Sequence, residues 1–230
     1  MQIKAYHSSS AGNLYQIDNL LIDAGVPIAK ITKALNFRLS EIEGCLISHE
    51  HRDHSLAARH LMRAGVDVYM SNKTSISMAL NLSGHRLHVI EPMKQFRIGE
   101  WNIKPFSLPH DVPNMGFLIS NGESKILYAV DTHYIPYRFD GLNYILISCN
   151  YDAETLKRNI RLGLVDVEVG KRILMNHMSL ATVKDFLIVN DLSRVREIWL
   201  LHLSATNSNG ERFKREIMRV SGKPVYVAGS

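Results

Sequence analysis

No stretch constrains this chain more than Ser48-His49-Glu50-His51-Arg52-Asp53-His54, which sets four metal-ligand side chains within six residues directly after the apolar run Cys45-Leu46-Ile47. Imidazole and carboxylate together are the donor set of zinc, and of manganese and iron at hydrolytic sites. If the apolar run is a strand, the ligands leave the sheet at its end, where a turn can fold them around an ion. A solvated histidine-rich loop is the plain alternative, and the density of ligands speaks against it.

With 230 residues the chain fits one large domain or two small ones. No composition shift or Gly/Ser/Pro-rich linker divides it, so a single domain over 1–230 is expected. An apolar share of 46% and a charged share of 21% are those of a soluble globular protein and exclude disorder. The formal charge of +5 favours anionic partners. Cys45 and Cys149 both sit in apolar runs, where reduced, inert thiols are expected rather than a disulfide framework. The amino terminus carries no apolar signal region and no run approaches membrane-spanning length, so a cytoplasmic location is expected.

Alternation predicts strands at Gln2–Tyr6 and Asn13–Ile17 around a Ser8–Gly12 turn, then a hairpin across Asp18-Asn19 into Leu20–Ile22. Pro27 with Ile28, Ile31 and Leu35 predicts an amphipathic helix. Strand Gly44–Ser48 delivers the histidine cluster. Beyond it, Leu56, His60, Leu61 and Ala64 share a helical face closing at Gly65, with a strand at Val66–Met70, a helix at Thr74–Leu82 and a strand at Leu87–Ile90. Hairpins follow over 96–108, turning at Gly99-Glu100, and over Met115–Val130, turning at Asn121-Gly122. Tyr144–Ser148 is a buried run. The pattern is helical from Ala153 to Asn190, with Leu156, Ile160 and Leu164 on one face and Ser179 capping the last helix. Strand Ile198–Leu201, a basic helix Glu211–Val220 and strand Val225–Val227 complete the chain.

Four apolar runs end in a metal-ligand side chain: His49 after Ile47, His110 after Leu108, Asp131 after Val130 and His202 after Leu201. The motif His49-x-His51-x-Asp53-His54, followed by His110, Asp131 and His202, resembles the metallo-β-lactamase superfamily over nearly the whole chain. The blocks Ser8–Asn13, Leu21–Gly25, Leu108–Asp111, Asn150–Asp152 and Leu201–Ser204 are similar to the YycJ-like branch, related to the RNase Z type. The resemblance implies a four-layer αβ/βα sandwich of antiparallel or mixed sheets. It implies that His49, His51 and His110 hold one metal ion and Asp53, His54 and His202 another, with Asp131 bridging. Seven ligands overfill one tetrahedral site but divide between two ions, zinc or manganese, which together can make hydroxide from a bridging water near neutral pH. Asp23 is a candidate to hold the far nitrogen of a ligating imidazole. His177 resembles a branch histidine that binds substrate or acts as general acid, although Asn176 replaces the glycine of that block.

His133 reads as a loop histidine that could touch substrate; His7, His60, His85 and His88 read as structural or surface residues. Basic residues gather at Lys157, Arg158 and Arg161, at Lys171 and Arg172, and at Arg212, Lys214, Arg215 and Arg219, as helix surfaces often do. The resemblance and the basic balance favour hydrolysis of phosphodiesters in nucleic acid or nucleotides, with Asp53, Asp131 and His177 in the chemistry. Cyclic mononucleotide hydrolysis, as in small anti-Pycsar phosphodiesterases, is one alternative; thioester hydrolysis and a silent nucleic-acid-binding scaffold are others. A homodimer is implied by resemblance.

Overall fold

The computed structural model describes residues 1–80 and 84–229, which fall into two compact units. The first comprises Met1–Ser107, Val112–Met115 and Gly229; the second comprises Leu108–Asp111 and Gly116–Ala228.

The first unit opens with antiparallel strands β1 (Ile3–Ser9), β2 (Gly12–Ile17) and β3 (Leu20–Ile22). The β2–β3 register, Ile17↔Leu20, is set by the tight turn at Asp18-Asn19, where Asp18 takes a left-handed φ of 45°, while β1 pairs with β2 from Ile3↔Ile17 to Ser9↔Gly12. The serine-rich turn is tighter than its composition suggests, since Ser8 and Ser9 stay in β1. Helix α1 (Ile28–Ala34) then leads to β4 (Gly44–Leu46). Helices α2 (Arg52–Ser55) and α3 (Ala58–Arg63) lead to β5 (Val68–Ser71), and α4 (Asn72–Ser77) to β6 (Leu87–Ile90). Strands β3 to β6 pair in parallel and in sequence order. A parallel strand with both faces covered reads as an unbroken apolar run. Leu20, Leu21, Ile22, Cys45 and Leu46 are all fully buried. Ile31 and Leu35 of the α1 segment pack into the same core.

The helix expected through Leu56–Ala64 appears as α3, which starts two residues later, with the separate turn α2 ahead of it. Ala57 N–H donates to the Ala24 carbonyl (2.8 Å) and Ala24 N–H to the His54 carbonyl (2.7 Å), so the chain is tied to the end of β3 where a continuous helix would need its own bonds. The buried face becomes Ala57, Ala58 and Leu61, while His60 and Ala64 are exposed. The expected Thr74–Leu82 helix appears as α4, capped by the Ser71 hydroxyl; residues 81–82 lie outside the described residues. Strands β7 (Phe96–Ile98) and β8 (Trp101–Leu108) form the hairpin expected at Gly99-Glu100.

The second unit takes β9 (Asn114–Ser120) from Gly116 onward, antiparallel to β10 (Lys125–Ala129). Their connection spans residues 121–124, longer than a two-residue turn, because the Asn121 side chain accepts from the Glu123 and Ser124 N–H groups. Strands β11 (Tyr144–Ser148), β12 (Glu197–Leu201) and β13 (Val225–Val227) continue this sheet in parallel from β10. Helices α5 (Ala153–Arg161), α6 (Val167–Asn176) and α7 (Leu180–Ile188) join β11 to β12, and α8 (Gly210–Ser221) joins β12 to β13. Asp152, Asp166, Ser179 and Asn209 cap these four helices, each accepting from first-turn N–H groups. Leu164, expected on the face of Leu156 and Ile160, lies past the end of α5 and is 70% exposed. The whole is two mixed sheets with helices, the α/β class. Among the described residues no helix is long and apolar enough to cross a membrane.

The cap of α5 generates a pH prediction. Burial pushes the Asp152 carboxyl up, but the Thr155 hydroxyl and N–H together with the Arg212 guanidinium hold it below the usual carboxylate range. A folded-state value below the unfolded one contributes stability that is complete above the unfolded value and is lost as pH falls through the folded one. Asp152→Asn keeps a cap and removes the charge, so its unfolding free energy from urea titration should lie below wild type by less than about 1 kcal/mol at pH 7. The gap should close on acidification; a gap constant down to pH 3 would contradict this cause.

Candidate metal centre

In the first unit the donors are organised by one buried carboxylate. Asp23 follows β3 in a left-handed conformation (φ 59°) and is fully buried. Its Oδ1 accepts from the Ser48 N–H and hydroxyl, both at 2.9 Å, and its Oδ2 lies 2.7 Å from His54 Nδ1. An ionised carboxylate only accepts, so the His54 proton is on Nδ1 and the lone pair is on Nε2. The Ser48 hydroxyl, having donated to Asp23, accepts from His49 Nδ1 at 3.0 Å, leaving His49 Nε2 likewise with its lone pair. A single carboxylate thus sets the tautomers of two imidazoles. The rings of His49 and His54 lie 4.3 Å apart between centroids, and those of His49 and His51 4.7 Å. One donor atom each of His49 and His51, and of Asp53 and His54, lie within 4.8 Å of one another.

Asn13, fully buried in β2, ties this cluster to its sheet. Its amide nitrogen donates to the Ser9 and Asp53 carbonyls (3.1 and 3.2 Å) and stands 3.0 Å from His54 Nε2, while its oxygen accepts from the Tyr15 hydroxyl at 2.9 Å. Gly25 makes the close packing possible, because a β-carbon there would sit 1.6 Å from the Asp53 carbonyl oxygen.

In the second unit the donors arise from strand register. Ala129, Ile147 and Leu200 stand side by side on β10, β11 and β12, so residues just beyond these parallel strands emerge at one edge. Asp131 and His202 take left-handed φ values of 48° and 54° there, which turns each side chain off its strand line. A carboxylate oxygen of Asp131 lies within 4.8 Å of a donor of His110, and one lies as close to a donor of His202. The Asn150 amide lies 3.2 Å from His202 Nδ1 and donates to the His202 carbonyl at 2.8 Å. His110 Nε2 lies 3.1 Å from Asp111 Oδ1, whose other oxygen accepts from Asn176 at 3.4 Å. His177 ends α6, stacks on His202 at 5.4 Å and places Nδ1 3.5 Å from Asp131 Oδ1.

The donors are imidazole nitrogens and carboxylate oxygens, several wholly buried, and this set fits zinc or manganese. Neither thiol belongs to it. Cys45 lies in the first unit's core, where burial and Asp23 push its pKa well up, and burial does the same to Cys149. Within each unit the structure gathers the residues expected from sequence. Motif reading did not single out Asn13, Ser48, Asp111 or Asn150 as supports. All four flank a motif residue or lie in a short polar block at a strand end, which is the one signal they carry. His60, His85 and His88 join neither donor group.

Asp23→Asn should weaken metal binding by about 10–100-fold, the usual cost of losing a support behind a ligating imidazole. Chelator competition on folded protein would measure it, and unchanged affinity would remove Asp23 from this role. Gly25→Ala should displace the Asp53 backbone and lower affinity too, while a variant at open Gly122 should not.

The family model described as the Beta-lactamase superfamily domain matches residues 18–202. The chain is 29% identical over 221 residues to the exodeoxyribonuclease WalJ of Streptococcus pneumoniae serotype 2, covering 87% of this chain and 81% of that one. It is 26% identical over 241 residues to the exodeoxyribonuclease YycJ of Bacillus anthracis, covering 96% and 89%. The metallo-β-lactamase fold protein YhfI of Bacillus subtilis superposes with a TM-score of 0.73 at 17% identity, over 98% of this chain and 95% of that one. Its likeness extends over both sheets, so the αβ/βα sandwich implied by the histidine motif is the fold of this chain. With the family model spanning most of its length and the motif histidines inside the match, the chain belongs to the metallo-β-lactamase superfamily.

Proposed function

We propose that this chain is a metal-dependent phosphodiesterase acting on nucleic acid, one hydrolase domain over residues 1–230 with two divalent ions. In this reading His49, His51 and His110 hold one ion, Asp53, His54 and His202 the other, and Asp131 serves both. The observation that carries it is Asp131 itself, a buried carboxylate within 4.8 Å of donors on both His110 and His202. A lone tetrahedral ion is filled by four ligands, whereas a carboxylate within reach of two donor sets suits a pair of cations. Similarity to two proteins named as exodeoxyribonucleases supports a nucleic-acid substrate.

Bound divalent ions would supply a water acidified toward neutrality and a positive clamp on phosphate oxygens. The protein's own groups do the rest. Asp23 and Ser48 keep the lone pairs of His49 and His54 turned away from their supports. Asp131 supplies negative charge beside His177, which is placed to hold a proton for the departing oxygen. The buried, unpaired thiols Cys45 and Cys149 support a reducing cytoplasmic setting. The reading includes a homodimer, which sedimentation would test.

The deciding measurement is turnover by metal-loaded wild type and Asp131→Asn on single- and double-stranded DNA, RNA, cyclic mononucleotides and a thioester. Polymer shortening is expected, abolished by chelation and reduced in Asp131→Asn by more than the about 10–100-fold of a supporting residue. Cleavage of cyclic mononucleotides alone would make this a signalling-nucleotide phosphodiesterase. Silence on every phosphodiester with metal bound would overturn the reading in favour of thioester hydrolysis or a binding role.

A further inference from the structure

Beside His110, and wholly within the second unit, opens a cavity of about 380 Å³ lined by Pro109, His110, Asp111, His133, Arg172, Met175 and Asn176. Its wall is one face of α6, since Arg172, Met175 and Asn176 stand at i, i+3 and i+4. The Asn176 amide, bonded to Asp111, anchors the end of that face to the His110 loop.

Three features of the wall point to an anionic, nucleotide-sized occupant. Arg172 makes no hydrogen bond or ion pair among the described residues. Three other cations of this unit are ion-paired: Lys171 with Glu168 at 2.7 Å, Lys184 with Glu216, and Arg212 with Asp152 at 3.2 Å. His133 lines the same cavity, and its ring adds a second polar, nitrogen-bearing group beside Arg172. Met175, 69% exposed, and Pro109 add an apolar edge against which a flat ring can lie. The one carboxylate in the lining, Asp111, is turned to His110 and Asn176. The volume lies at the lower end of the range for small-molecule sites, enough for a single nucleotide.

Resting on the phosphodiesterase reading, we propose that Arg172 and His133 form a second phosphate subsite, next to the phosphate held at the metal centre. The substrate class that follows is one with two phosphate groups in neighbouring positions, as in a nucleic-acid strand or an end-phosphorylated oligonucleotide. A cyclic mononucleotide has one phosphate. With that phosphate at the metal centre, the guanidinium of Arg172 has nothing to bind. Arg172 therefore acts as a specificity residue for the length and phosphorylation of the substrate.

The test compares dithymidylates carrying a 5′-phosphate, a 3′-phosphate or neither, with metal-loaded wild type, Arg172→Gln, Arg172→Lys and His133→Gln. Wild type should prefer one phosphorylated form in kcat/KM by about tenfold or more, as expected of a hydrogen bond to a charged group. The preference should lie in KM, collapse in Arg172→Gln and return in part in Arg172→Lys. The same ranking should appear in equilibrium binding of fluorescent dithymidylates at low temperature, which needs no turnover. Wild-type hydrolysis of bis(p-nitrophenyl) phosphate separates the two ideas: if that is absent, the phosphodiesterase reading fails. Were it present with all three dithymidylates bound and cut alike, or with Arg172→Gln lowering every substrate equally, the second subsite would be refuted.

Discussion

The buried Asp23 carboxylate is the interaction on which the rest of the first unit's chemistry depends. It is removed from water, accepts two bonds from Ser48, and receives the His54 ring proton, with His49 reached through the Ser48 hydroxyl. Burying a charge without such partners would cost several kcal/mol. With them, the charge is compensated and two imidazoles are fixed in one protonation pattern. Parallel pairing of β3 and β4, Ile22 beside Leu46, brings Asp23 and the histidine segment to the same sheet edge. Sheet register comes first, then the carboxylate, then the ligand geometry.

The second unit solves the same problem with different parts. Parallel register aligns the ends of β10, β11 and β12, and the residues just beyond them supply Asp131, Asn150 and His202. Support behind the imidazoles comes from an amide at His202 and a carboxylate at His110. Both units thus place chemistry at the carboxyl ends of parallel strands, where backbone regularity stops and side chains are free to turn.

Much of this was legible in the sequence, for physical reasons. Strands buried on both faces announce themselves as apolar runs, and a ligand after such a run marks the sheet edge; His49, Asp131 and His202 were readable on that basis. What escaped was tertiary. The helix expected through Leu56–Ala64 has the right periodicity, yet it starts only at Ala58, because the bonds between Ala24 and the His54–Ala57 segment hold the chain just before it. Leu164 matched a helical face that had already ended. Asn13 and Asn150 are ordinary polar residues in sequence, and only the path of the backbone around them reveals what their amides hold.

Asp23, Asp131 and His202 all have left-handed backbones, a region that aspartate, asparagine and histidine enter more readily than other residues with side chains. Donor chemistry at Asp131 and His202, carboxylate support at Asp23 and backbone tolerance therefore select the same residue types at these positions. Alanine fails on both counts, so an alanine change at any of the three mixes the lost polar group with about 1 kcal/mol or more of conformational strain. Asparagine keeps the backbone at ease and removes only the charge. At strand-end positions of this kind, alanine scanning overstates what the polar group contributes, and for the two aspartates the amide isostere is the fairer probe.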